Sequence, residues 1–471
     1  MKTQSPGRAL PALGLLLLGC VGCASEPRTI TVEVVPGHET GAFQEDPPVA
    51  RVEVTAAAIE GDVTVSASAA PGGALDFGEI PADRAYTFEV RGLDAGGATV
   101  ARGRSASGIH LAALSGEVLS LFAQRTGRWS RPPGGLAASR VGAPGAALAE
   151  RYLILTGGGA AAVSAAAGEV DPARIDAYDI AGWGGSASSG ALPRAALSLV
   201  VRGDLLLAID DEGATWTDLV AGQSAEAALP MELGSFAEVA GGRTIEATDG
   251  RSFVVGAARA GEPAEAPGQP SDAVLVVGAD LTLSVARLRH ARAGAAAVWV
   301  EGVGLVVAGG SAEGAGVEVL GDGATAFLPR AFPPDAARGA GAAVTGPGEI
   351  ALVGGVQGGA PAPTRRLAPG CAASCAAVEV AGATLPAAVV DVAAFALPGG
   401  RVLAVGSEAG DGGLTRSFAV DVAAAQIEEL PLREPRRGAT AVPAPNGTLA
   451  LLGGVHPDGA PALAIETFFP E

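Results

Sequence analysis

Arginine is the residue type whose placement in this chain could do chemistry. Arg140-Val141-Gly142 and Arg292-Ala293-Gly294 share an R-x-G spacing, and Arg338-Gly339-Ala340-Gly341 and Arg437-Gly438 are looser versions of it. Arg194 and Arg243 share the spacing along the chain but not the glycine. A guanidinium offers parallel N–H donors that match a carboxylate, so a ring built from Arg140, Arg292, Arg338 and Arg437 would hold an acidic ligand. The competing reading is structural: each arginine bonds backbone carbonyls and ties one unit of the chain to the next. Cys371 and Cys375 stand four apart in a Pro/Gly/Ala loop. That spacing favours a local disulfide over half of a metal site, because no second Cys or His pair lies nearby. His38, His110, His290 and His456 are scattered, so an imidazole metal site is not expected. No G-x-S-x-G elbow with a placed His and Asp is evident. The sequence therefore offers no catalytic residue, no metal ligand and no cofactor.

The elements that must position these arginines are β-strands. The chain has 471 residues with 70 Gly, 33 Pro and only 4% aromatic residues. Such a composition suits many short strands separated by tight turns, with a core of Val, Leu and Ala. The formal net charge of −19 disfavours nucleic acid as a partner. Apolar strands that end in Gly or a small turn recur, as in Leu305–Gly310 (LVVAGG), Ile350–Gly355 (IALVGG) and Thr448–Gly454 (TLALLGG). Degraded copies stand at Leu205–Asp210, Ser252–Gly256 and Arg401–Gly406. From Gly157 to Gly453 the mean period is about 49 residues over six intervals. A third strand follows each Gly turn, for example Ile175–Ile180 or Gly316–Leu320, and a fourth closes on Leu-Pro at Leu192, Leu229, Leu328, Leu385 and Leu430. The sixth unit has Ala388-Val389-Val390 where the others have arginine.

On this evidence residues 125–471 resemble the kelch-repeat family, whose four-stranded blades of about 50 residues form a β-propeller. The resemblance implies about seven blades. It also implies that arginines at the start of the innermost strand line the mouth of the central channel, as they do in kelch propellers that bind acidic peptides. The last unit stops after three strands, and residues 126–132 look like an outer strand with no blade of their own. Pairing the two would close the ring. The run Asp211-Glu212-Gly213-Ala214-Thr215-Trp216 resembles the Asp-box of sialidase-like propellers, where it is a hairpin signal and not a catalytic group.

Upstream of the repeats the period is two. Thr29–Val35, Val49–Thr55, Val63–Ala67, Tyr86–Val90, Thr99–Gly103 and Glu117–Phe122 alternate apolar and polar residues, which suggests a β-sandwich over residues 28–124. Ile80-Pro81 before Tyr86 looks like the corner of fibronectin-III-like domains. The bland reading of this module is a spacer. At the start, Lys2 and Arg8 precede an apolar run, Ala9–Leu18, too short to span a bilayer. Leu17-Leu18-Gly19-Cys20 resembles the lipobox of bacterial lipoproteins. The resemblance implies a signal peptide over residues 1–19, a lipid on Cys20 and a tether over residues 20–27.

The fold class expected is thus all-β: a sandwich followed by a kelch-like propeller. The function expected is non-catalytic binding of a protein or glycan by a monomer, anchored by lipid to the outer membrane of a bacterial envelope. The alternative is a periplasmic enzyme at the channel mouth, such as an acidic-sugar epimerase or mutarotase.

Overall fold

The computed structural model describes residues 30–81, 83–111, 118–157, 171–256, 270–371, 375–410 and 413–470. Residues 1–29, where a signal peptide, a lipid on Cys20 and a tether are expected, lie outside the described residues. The described chain is all-β, broken only by short 3-10 turns such as Phe236–Glu238.

From Gly145 onward, antiparallel sheets of four strands follow one another. Their first strands are Gly145–Leu148, Ser198–Arg202, Arg243–Glu246, Ala296–Val300, Gly341–Gly346, Val389–Leu397 and Thr440–Pro443. We number these sheets 1 to 7 in that order. From sheet 1 to sheet 6 each first strand lies beside the first strand of the next sheet, that of sheet 7 lies beside that of sheet 1, and sheets 6 and 7 share an apolar layer. The series therefore returns to its start, with the first strands nearest the axis. This arrangement is propeller-like.

Sequence dictates these strands in a simple way. The second strands, such as Gly304–Ala308 and Leu449–Leu452, are buried on both faces and read as unbroken apolar runs. The outer strands are polar and exposed, as in Gln223–Glu226. Leu-Pro lies within the outer strand only at Leu328–Arg330; in sheets 1, 2 and 6 it follows shortly after the strand, and in sheet 5 it lies in the connection beyond Val378–Glu379, where a proline costs no ladder bond. Between sheets, the cores are apolar layers such as that joining Phe253 and Val255 to Leu305 and Val307.

Sheet 7 takes its fourth strand from the beginning of the repeat region. Trp129–Ser130 pairs antiparallel with Glu466–Phe468, Thr467 opposite Ser130 and Phe468 opposite Trp129. The Trp129 ring is fully buried, 5.7 Å from that of Phe468, and its Nε1 donates to Ser417 Oγ of sheet 6 at 2.9 Å.

Residues 30–125 form two facing sheets. Thr31–Val35 pairs parallel with Val118–Phe122, and Arg51–Ala58 lies between Thr64–Ala69 and Ala85–Leu93 in a larger antiparallel sheet that ends on Gln124–Arg125. One core joins them, from Val32 and Leu121 to Val54, Phe88 and Val90. Tyr86 Oη donates to the Pro81 carbonyl at 3.0 Å, so the corner signal has a bond behind it. The module packs against the ring. Phe122 packs against Trp183 of sheet 1, and Trp183 Nε1 donates to Ser120 O at 2.8 Å. Asn446 of sheet 7 donates to Arg104 O, and Gln124 exchanges bonds with Thr467. Residues 118–130 thus pass through three sheets in succession.

Candidate functional site

In every sheet but sheet 2 a residue in the left-handed region stands at the start of the first strand. Glycine supplies it at Gly142, Gly241, Gly294, Gly339 and Gly438, with φ between +60° and +78°. In sheet 6 the place is taken by Asp391, at φ +51°. The peptides around these residues join neighbouring sheets: Gly142 N–H donates to Gly438 O, Gly339 N–H to Gly294 O, and Val392 N–H to Gly339 O. They form a rim at this end of the axis, with backbone bonds between sheets 7 and 1, 4 and 5, and 5 and 6.

The rim fixes the register in which the arginines must be compared. Two residues before the left-handed position stand Arg140, Arg292 and Arg436 in sheets 1, 4 and 7. All three are fully buried. Arg292 Nη1 donates to Gly309 O at 2.8 Å, and Nη2 to Ala315 O at 2.8 Å and Glu318 Oε1 at 2.9 Å. Arg436 repeats this on Gly453 O, Ala464 O and Glu466 Oε1. Arg140 bonds Arg174 O and Asp176 Oδ2. The carboxylates are themselves held from behind, Glu318 by the Arg289 N–H and Glu466 by the Arg433 and Glu434 N–H groups. Burial raises the Asp176 and Glu466 carboxyls and lowers the Arg140 and Arg436 guanidiniums, against the pull of their partners. These are internal clips between a connecting segment and the next sheet.

Two of the four arginines expected to bind ligand, Arg140 and Arg292, are therefore inside the protein and unable to reach one. Arg437 is displaced by one residue from the clip position that the sequence pattern suggested; it is half-buried and donates to Pro457 O at 2.7 Å. Arg338 sits at the same displaced position in sheet 5, exposed, and no side-chain partner holds it among the described residues. The clip position of sheet 5 is Ala337; there the charges are exchanged, with Asp335 on the connection and Arg365 on the third strand forming the pair. Arg194 bonds Asp210, Thr215 and Glu226. In the Asp-box-like hairpin the residue that accepts the turn N–H groups of Glu212 and Gly213 is Asp210, not Asp211.

The Gly-Gly pairs belong to the same construction. Gly310 and Gly454 have φ of +73° and +86°, and a Cβ on either would lie 2.7 or 2.6 Å from the carbonyl of Ala293 or Arg437. No other residue type fits there.

Arg243 is the candidate residue that sequence reasoning undervalued. It opens the first strand of sheet 3, two residues past its rim glycine. The corresponding places hold Pro144, Ala296, Gly341, Ala393 and Thr440. Side chains here bond the rim carbonyl of the next sheet: Thr440 Oγ1 donates to Ala143 O at 2.5 Å, and near the same level Ser198 Oγ donates to Gly242 O. Arg243 bonds the equivalent carbonyl of a distant sheet. Its Nη1 donates to Val392 O of sheet 6 at 2.6 Å, so the side chain crosses the axis. Burial lowers its proton affinity and the Asp391 carboxylate opposes that. The available signal was a single large cation among small residues at one repeat position.

Cys371 and Cys375 are joined, with Cα atoms 5.7 Å apart, beside the apolar layer between sheets 4 and 5. Among the described residues no group of three His, Cys, Asp or Glu could hold a metal ion, and no helix is long and apolar enough to cross a membrane.

No known family and no curated protein matches the chain. Among solved structures it is similar to a chain of one titled "Crystal Structure of Mitotic Checkpoint Complex", at 11% identity and a TM-score of 0.45, over 74% of this chain and 95% of that one.

Proposed function

We propose that the ring is a seven-bladed β-propeller of kelch type, with residues 30–125 a β-sandwich packed on it. We propose further that the chain is a lipoprotein, anchored through Cys20 to the outer membrane, whose work is to bind a protein or glycan at the envelope without transforming it. One observation carries the binding reading. Most of the arginines in the repeats are consumed in internal pairs, whereas Arg243 and Arg338 keep unfilled donors at one end of the axis. The rim beside Arg338 is held by backbone bonds from sheet 5 to sheets 4 and 6, and Arg243 is fixed by its bond to Val392 O, so a ligand would meet a rigid surface.

Capture from an envelope extract, with a glycan array beside it, tests the reading. A folded Arg243→Gln/Arg338→Gln variant should lose the ligand that the wild-type chain retains. Equal capture by both would move binding elsewhere, and turnover of a small sugar would replace the reading with an enzyme. Labelled fatty acid should enter the wild-type chain and not Cys20→Ala.

A further inference from the structure

In sheets 1 to 7 every buried arginine among the described residues is paired with a carboxylate; half-buried Arg243 is not. Arg140, Arg292 and Arg436 each have a carboxylate oxygen within 2.7–2.9 Å. Arg365 has Asp335. Arg243 has only a carbonyl, Val392 O, and its other N–H groups have no acceptor among the described residues. A half-buried guanidinium whose remaining donors stay open to solvent is free to take an anion, and partial removal from water strengthens that bond.

The surroundings say which anion. Arg338 is exposed on the rim of sheet 5, next to the Asp391 position on sheet 6: a Cβ on Gly339 would lie 3.0 Å from the Asp391 backbone nitrogen. Asp391 is itself exposed, in a backbone conformation that its neighbours in the ring give to glycine. A non-glycine residue kept there is a strained choice of the kind found at binding sites. Two guanidiniums and one carboxylate leave a single net positive charge, which a monoanion balances. The planar guanidinium fork matches a carboxylate. The space is small, because one arginine side chain spans it. Asp391 repels a second carboxylate and accepts bonds from hydroxyls.

The geometry points to a site at this end of the axis, formed by Arg243, Arg338 and Asp391, for a small hydroxylated monocarboxylate of the sugar-acid class. This rests on the reading of the rim as a binding face.

Titration calorimetry of the full-length protein at low salt, with sodium glucuronate, sodium acetate, glucose and inorganic phosphate as probes, tests it. Glucuronate should bind best, acetate more weakly, and glucose not at all. Arg243→Gln should weaken glucuronate by about tenfold or more, and Arg338→Gln by less, as loss of charged hydrogen bonds predicts. Asp391→Gly suits the left-handed backbone and so keeps the fold; it should narrow the gap between glucuronate and acetate by removing the hydroxyl acceptor. Failure of glucuronate to bind, equal binding of glucose, tighter binding of phosphate, or unchanged affinity in a folded Arg243→Gln variant would each overturn the site. Should capture from envelope extract fail while glucuronate still titrates, the broader reading falls and the site stands. Capture without any carboxylate binding removes the site alone.

Discussion

Sheets 4 and 7 and sheets 3 and 6 solve one problem with opposite chemistry. The residue two places before the rim must fill the gap between a connecting segment and the next sheet. In sheets 4 and 7 it is Arg292 or Arg436, paired with a buried glutamate. In sheets 3 and 6 it is Val239 or Val389, each within an apolar layer. That both work in one ring agrees with the general finding that a buried ion pair and a well-packed apolar contact are close in net stability. The difference lies in what happens when one partner is removed. An apolar filler loses only its own contacts, whereas half of a buried pair leaves an uncompensated charge.

This contrast predicts the largest effect. Arg436→Ala strands Glu466, already pushed upward by burial, and should cost about 3–5 kcal/mol in denaturant unfolding. Val389→Ala should cost about 2 kcal/mol, a cavity effect alone. The Arg436→Val/Glu466→Val double variant should cost less than the sum of its single changes, by about 1–3 kcal/mol of coupling. Additive single effects would mean that the carbonyl bonds to Gly453 and Ala464, and not the charge pair, set the energy of the clip.

A smaller effect separates the rims of the same sheets. Gly294→Ala forces a Cβ to 3.0 Å from Gly339 N at φ +61° and should destabilise by about 1–2 kcal/mol. Asp391→Gly relieves an L-residue held at φ +51° and should stabilise by about 1 kcal/mol in the same assay. If Asp391→Gly destabilises instead, the aspartate is held by contacts that outweigh its strain.

Much of the ring was legible in the sequence because it repeats. The apolar second strands, the glycine pairs and the three-strand last unit each carry a pattern of residue types, and the pairing of Trp129–Ser130 with Glu466–Phe468 follows from counting strands. The arginines were harder. Arg436 and Arg437 are adjacent, and only the rim bond from Gly142 N–H to Gly438 O shows that Arg436 is the one aligned with Arg292. Nor does an R-x-G spacing say whether a guanidinium points inward; burial depends on the third strand, where Glu318 and Glu466 wait as partners. Arg243 stayed obscure for the opposite reason. Its partner carbonyl is 149 residues away, across the axis, and no local pattern encodes that.

The finest test of buried against exposed pairing lies within one strand. In Arg174–Asp179, Asp176 is enclosed with Arg140, and burial raises its carboxyl. Three residues on, Asp179 is also penalised by burial, but bonds from Arg151 and from the Ala181 N–H more than offset this, and its carboxyl is lowered. The signs of linkage are therefore opposite. A lowered carboxyl stabilises the fold above the ordinary aspartate range, and that stability is lost as pH falls through the folded value. A raised one contributes below the ordinary range and loses that contribution as pH rises through its folded value. Asp179→Asn should thus flatten the acid limb of the stability profile, costing about 1 kcal/mol or less at neutral pH because Arg151 is half exposed and solvent screens the pair. Asp176→Asn should leave that limb at least as steep. A steeper limb in Asp179→Asn would show that the Arg151 contact does not outweigh burial, and that the two carboxylates of this strand behave alike.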